Sequence, residues 1–181
     1  MEWHRYSGYA LFGVLLFRLY WGVVGSSTAR FAQFVRSPLV ALHYLRNKSG
    51  LAFVGHNPLG AWSVLALLGL LLAQVTLGLF TVDVDGIESG PLSYLVSFDT
   101  GRTLAHWHHK VFDILLAFVV LHLAAVVFYL IFKRSNLIGP MISGWKKLDT
   151  ASVQAVAIAP WWRAAIGIAI AAAIVWFVAS R

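Results

Sequence analysis

The segment His106–Phe132 reads HWHHKVFDILLAFVVLHLAAVVFYLIF, and its stretch Val111–Phe132 is apolar almost throughout, with Asp113 and His122 as its strongly polar interruptions. A helix crossing a hydrocarbon core of about 30 Å needs roughly 20 apolar residues. This run is long enough. Three others match it: Tyr6–Val24, Ala61–Val82 and Trp161–Ala179. Four such runs in 181 residues predict an all-α transmembrane four-helix bundle, with residues 1–181 forming a single membrane domain. The composition agrees, at 60% hydrophobic and 12% charged, the latter about half of what a soluble domain carries.

The run nearest Met1 has the position of a signal peptide but not its chemistry. Arg18, Leu19, Tyr20 and Trp21 are too polar and aromatic for an ordinary signal-peptide apolar region. The nearest imitation of a small-residue cleavage site, Gly25 to Ala29, is unconvincing. We therefore read this run as a retained helix.

Charge is distributed by loop. Between the first and second runs lie Arg30, Arg36, Arg46 and Lys48 with no acid; between the third and fourth lie Lys133, Arg134, Lys146 and Lys147 against Asp149. The intervening connection instead holds Asp83, Asp85, Glu88 and Asp99 against Arg102. Excess Lys and Arg beside helix ends marks the cytoplasmic side, so Ser26–Pro58 and Lys133–Pro160 are expected inside and Thr81–Trp107 outside. The formal charge of +7 is thereby a topology signal, and nucleic acid is not an expected partner. Membrane lipid is. Within the first basic connection, Asn57 followed by Pro58 predicts the N-cap and first position of the second helix.

The absence of cysteine removes iron–sulfur clusters, thiolate-ligated or covalently attached haem, and disulfides. Histidine is the remaining metal-binding chemistry, at His4, His43, His56, His106, His108, His109 and His122. An ionisable residue inside a span is by default a functional candidate. On a helix, the fourteen residues from His108 to His122 turn the chain through about 1400°, some 40° short of four turns, and advance it about 21 Å. The two histidines thus share a face at depths suited to two cofactors stacked across the bilayer. His106 and His109 lie about 160° and 140° away from His122 on the same count and are read as surface or interface residues.

A haem held by two histidines needs a second imidazole at equal height on a facing helix. His4 meets that condition beside His108, and Gly8, one turn further along the same face, leaves room for a porphyrin or for close helix packing. Arg18 follows His4 by fourteen residues and is therefore level with His122. A haem propionate is a natural partner for so deep a cation, the other course being snorkelling to the inner interface. His43 and His56 sit on the inner side, His56 too near the interface to be an axial partner for His122.

Trp3-His4-Arg5-Tyr6-Ser7-Gly8-Tyr9, Phe17-Arg18-Leu19-Tyr20-Trp21-Gly22, Gly55-His56-Asn57-Pro58-Leu59-Gly60 and Leu121-His122-Leu123-Ala124-Ala125 together resemble the bacterial cytochrome b561 family, which is related to the b-type subunit of nickel–iron hydrogenases. The resemblance runs through about Gly144. It implies an inner-membrane helical bundle, one or two non-covalent haem b groups, and electron exchange between a quinone pool and another redox protein such as a c-type cytochrome. On that pattern His4 and His108 ligate an outer haem iron and His122 an inner one. The family's usual first helix, bearing the remaining ligand in an R-x-x-H-W-like motif, has no counterpart before His4. The expectation is that the natural chain starts upstream, the other courses being a ligand from another subunit or a single firmly held haem.

The leading expectation is thus an electron-transfer subunit. A direct quinone or superoxide oxidoreductase is the second class, and a non-redox membrane subunit the third, which the histidine spacing argues against. The charge pattern makes a separate prediction: in sealed vesicles, protease applied from the cytoplasmic side cuts within the two basic connections and spares Thr81–Trp107. Cleavage of Thr81–Trp107 from that side would reverse the topology.

Overall fold

The structure, a computed structural model, describes residues 2–46, 57–85, 88–144 and 156–181. His56 lies outside the described residues. The order of elements is α1 (Glu2–Val24), a 3-10 turn (Ser27–Ala29), α2 (Phe31–Phe34), α3 (Pro38–Arg46), α4 (Pro58–Leu79), a second 3-10 turn (Ser93–Leu95), α5 (Phe98–Ile131), α6 (Ile138–Ser143) and α7 (Trp161–Ala179). Four of these, α1, α4, α5 and α7, are long and apolar enough to cross a membrane. The fold is all-α. Among the described residues, extended pairing is confined to an isolated bridge between Val82 and Ser89.

Local chemistry explains where the helices begin. The Asn57 side chain accepts from the Gly60 backbone N–H at 2.6 Å, with Pro58 at the first helical position, as the N-cap pattern requires. Ser97 caps α5 in the same way, accepting from Thr100 N at 3.3 Å, and Asp99 in the first turn complements the helix dipole. Because of that cap, α5 starts thirteen residues before the apolar run at Val111. The sequence reading places Phe98–Trp107 in the outer connection; capping makes it helix. The histidine cluster therefore stands on a continuous helix.

The long helices lie in the order α5, α4, α1, α7, with α3 laid against α4. Helices α1 and α5 flank α4 and approach one another only slightly. Between α1 and α7 the contact is close. A Cβ at Gly167 would stand 2.5 Å from Tyr20 Cδ1 and 3.2 Å from Phe17 Cδ2, so the bare α-carbon is what lets two aromatic residues of α1 lie on α7. This is the small-residue contact expected where lipid gives helices no hydrophobic reason to associate.

The basic end of that pair is closed by hydrogen bonds. Ser27 and Ala157 exchange two, Ser27 N to Ala157 O at 3.0 Å and Ala157 N to Ser27 Oγ at 3.2 Å. Ser26 Oγ accepts from Ala159 N at 3.0 Å. The Arg163 guanidinium donates to the Val24 carbonyl at 3.1 Å, satisfying a carbonyl that has no partner within α1. On α3, burial and a hydrogen bond with Tyr129 hold the Tyr44 phenol above its usual pKa and tie this short helix to the far end of α5.

Among the described residues few side chains are buried; Leu15, Ala61, Leu115, Ala171 and Val178 are among those that are. Many large apolar residues of α5 and α7, including Val120, Leu121, Leu123, Ile131, Ile168 and Trp176, are exposed. In a bilayer that exposure is solvation by acyl chains and carries no hydrophobic cost.

Replacing Gly167 by Leu should overpack the α1–α7 contact at a cost of about 1–3 kcal/mol. The expected readout is a lower thermal midpoint in detergent. An unchanged midpoint would mean that this contact does not hold the pair.

Candidate functional site

At the acidic end of the bundle, α1 and α5 bring two imidazoles together. The His4 and His108 ring centroids are 6.1 Å apart with planes at 83°. They differ in surroundings: His4 is exposed, while His108 is half-buried against α4.

His108 is bound by α4 at both nitrogens. Its Nδ1 is 3.0 Å from the Gln74 main-chain oxygen, and its Nε2 is 3.1 Å from the Gln74 side-chain nitrogen. A carbonyl only accepts, so Nδ1 carries the proton and donates; the Nε2 lone pair then accepts from the amide. This fixes the tautomer of a neutral imidazole, with the nitrogen that can bind a metal turned away from the anchoring bond. One turn after Gln74, Gly78 makes the approach possible, since a Cβ there would lie 2.9 Å from His108 Cε1.

Gln74 is the polar residue buried deepest in α4, at 9% exposure, and its side-chain oxygen is buried with no hydrogen-bond partner. A buried amide oxygen left unbonded carries a desolvation cost of about 1–3 kcal/mol. The nitrogen of the same amide nevertheless stays on His108.

Toward the basic end, His122 has a similar tie. Its Nδ1 is 3.1 Å from Ser63 Oγ, again on α4. Ser63 and Gln74 are eleven residues apart, about 1100° or 20° beyond three turns, so α4 presents both partners on one face, as α5 presents both histidines.

Arg18 reaches the basic-end connection. Its guanidinium donates to the Ala29 carbonyl at 3.3 Å and stands 4.8 Å from the centroid of the Phe31 ring. Gly8 faces open space, with nothing within 4 Å of where a Cβ would be. His106 and His109 are exposed, and His109 Nδ1 donates to Ala105 O of its own helix at 2.8 Å.

Gln74, Gly78 and Ser63 are the site residues that the sequence reading did not single out. Their signal was present: a glutamine inside an apolar span, a glycine one turn later, and a serine on the same face. The rule that polar groups inside a span mark function covers amides and hydroxyls as well as histidines.

Comparison with known proteins identifies a family. Residues 1–144 match the family described as prokaryotic cytochrome b561. Among similar proteins are the probable Ni/Fe-hydrogenase B-type cytochrome subunits of Azotobacter chroococcum mcd 1 and Azotobacter vinelandii, each 26% identical over 163 residues that cover 79% of this chain and 66% of the relative. The chain thus spans just under two thirds of the length of these relatives. No solved structure matches it significantly. With four membrane-crossing helices and a family match that takes in three of them, including both helices that carry the facing imidazoles, this multi-pass membrane chain belongs to the prokaryotic cytochrome b561 family.

Proposed function

We propose that the chain is the membrane-embedded b-type cytochrome of an electron-transfer system, in which His4 and His108 would hold the iron of a haem b near the outer surface. The observation that carries this reading is the His4–His108 pair. Two imidazoles that share a metal at about 2 Å each have ring centroids roughly 6 Å apart, and the pair stands at 6.1 Å.

The residues fit a haem. His108 is neutral with its Nε2 lone pair on the side away from its anchoring carbonyl, the form a ligand needs. Gly8 borders open space beside His4, where a porphyrin face would lie. When bound, haem iron cycles between ferrous and ferric states and so supplies one-electron transfer. The chain's part is to hold the imidazoles, exclude water from one side with α4, and bias the potential through the Nδ1–H bond, which increases the donor strength of His108.

His122, oriented by Ser63, is the proposed ligand for a second, inner haem b. Arg18 uses one of its five N–H donors on Ala29, which leaves others for a propionate. We further assign the chain to a bacterial inner membrane as a single lipid-embedded unit, with its basic connections in the cytoplasm. Its electrons pass between a quinone pool and a second redox protein. The two Azotobacter relatives bear the name of hydrogenase subunits, which makes a hydrogenase a reasonable partner class beside a c-type cytochrome. The acidic connection with Asp83, Asp85 and Glu88 is the proposed docking surface.

Reduced-minus-oxidised absorption spectra of the purified chain test the haem. His108→Ala is expected to abolish the low-spin signal of the outer haem, and His109→Ala to leave it largely intact. The reverse result would refute the assignment. Gly8→Leu separates packing from cofactor space: it should lower haem content while leaving the helical circular dichroism and thermal midpoint near those of the parent. For the quinone, the reconstituted system containing the partner should show haem reduction by quinol, and its failure would remove the quinone from the scheme.

A further inference from the structure

We propose that Gln74 is a positioning residue that keeps a place for the iron: its main-chain carbonyl sets the His108 tautomer, and its carboxamide guards the Nε2 lone pair until a haem takes it. The inference rests on the reading of His108 as an axial ligand.

Two features of Gln74 bear on it. Its side-chain nitrogen donates to His108 Nε2 at 3.1 Å, the same lone pair that a metal would use. Its side-chain oxygen is buried without a partner. An amide chosen only for stability would have both ends bonded, because a half-satisfied buried amide is worse than an apolar residue of the same shape. A donor stationed on that lone pair competes with a metal for it, so haem entry has to displace this hydrogen bond. Gly78 keeps the imidazole within reach of the Gln74 carbonyl whether or not the amide stays.

The exchange balances without proton transfer. His108 is already neutral and protonated on Nδ1, so its Nε2 pair passes from the amide N–H to the metal, and the amide N–H is freed. The Nδ1–H bond to the Gln74 carbonyl persists in both states.

The test uses the full chain, produced haem-free, reconstituted in lipid nanodiscs and titrated with haem b. Gln74→Met removes the donor at similar volume. It should speed haem association by about five-fold, the factor corresponding to one net hydrogen bond. Gln74→Glu replaces the donor by an acceptor, which calls for a proton on Nε2 and should slow association. A purely structural role would send both variants the same way. Equal or unchanged rates in the two variants would overturn the proposal.

A second readout needs no haem. In haem-free chain labelled with 15N-histidine, His108 is expected as the Nδ1–H tautomer in the parent and in Gln74→Met, and protonated on Nε2 in Gln74→Glu. An Nε2–H tautomer in the parent would also overturn it. Failure of the ligand reading is separate: His108→Ala would then retain the outer haem while the His108 tautomers of the parent and the two Gln74 variants stayed as expected.

Discussion

A carbonyl inside a helix is normally shielded by the side chain one turn ahead, and Gln74 is freed from that by Gly78. The carbonyl has a second lone pair beyond the one used within the helix, and the bare α-carbon lets the His108 imidazole reach it at 3.0 Å. Much of the acidic end follows from that bond. It sets which His108 nitrogen is a donor, turns the ring toward His4, and fixes α5 on α4 at the height of Gln74. Half-buried against α4, an imidazole without such a bond would leave a polar nitrogen poorly satisfied.

The same constraint recurs along the α4–α5 pair. Ser63 meets His122 as Gln74 meets His108. The two helices are joined by polar ties near both ends, with apolar packing between. By contrast, α1 is held to α7 by aromatic rings lying over Gly167 and by the hydrogen bonds of Ser26, Ser27 and Arg163. The bundle is thus two helix pairs joined where α1 meets α4. That division leaves α1 and α5 slightly apart, and the proposed outer ligands face each other across it.

Much of this was legible in the residues. Apolar run length revealed the four spans, and Asn57-Pro58 marked the start of α4, because both signals are local. The angular count from His108 to His122 depended only on an unbroken helix. What stayed hidden was non-local. Hydropathy could not show that α5 begins back at Phe98, within the connection read as Thr81–Trp107, since a polar helix extending beyond the apolar zone scores like a loop. Nor could one helix's sequence show that Gln74 and Gly78 face His108, because that depends on the register between α4 and α5. Arg18 was placed at depth, but its contacts with Ala29 and Phe31 depend on how the chain turns after Val24, which no periodicity encodes.

The proposed ligands are unequal, and the inequality has a physical sense. His108 is oriented before any cofactor arrives, anchored through Nδ1 and half-buried on α4, so little rotamer entropy is left to lose there. His4 is exposed, stands near the start of α1, and has open space beside Gly8. With His108 anchored on α4 and His4 exposed, the chain would offer a haem one preset imidazole on α5 and a less constrained one on α1. The two helices pack tightly on different partners and only slightly on each other, so an adjustment of α1 against α5 would break no extensive interface.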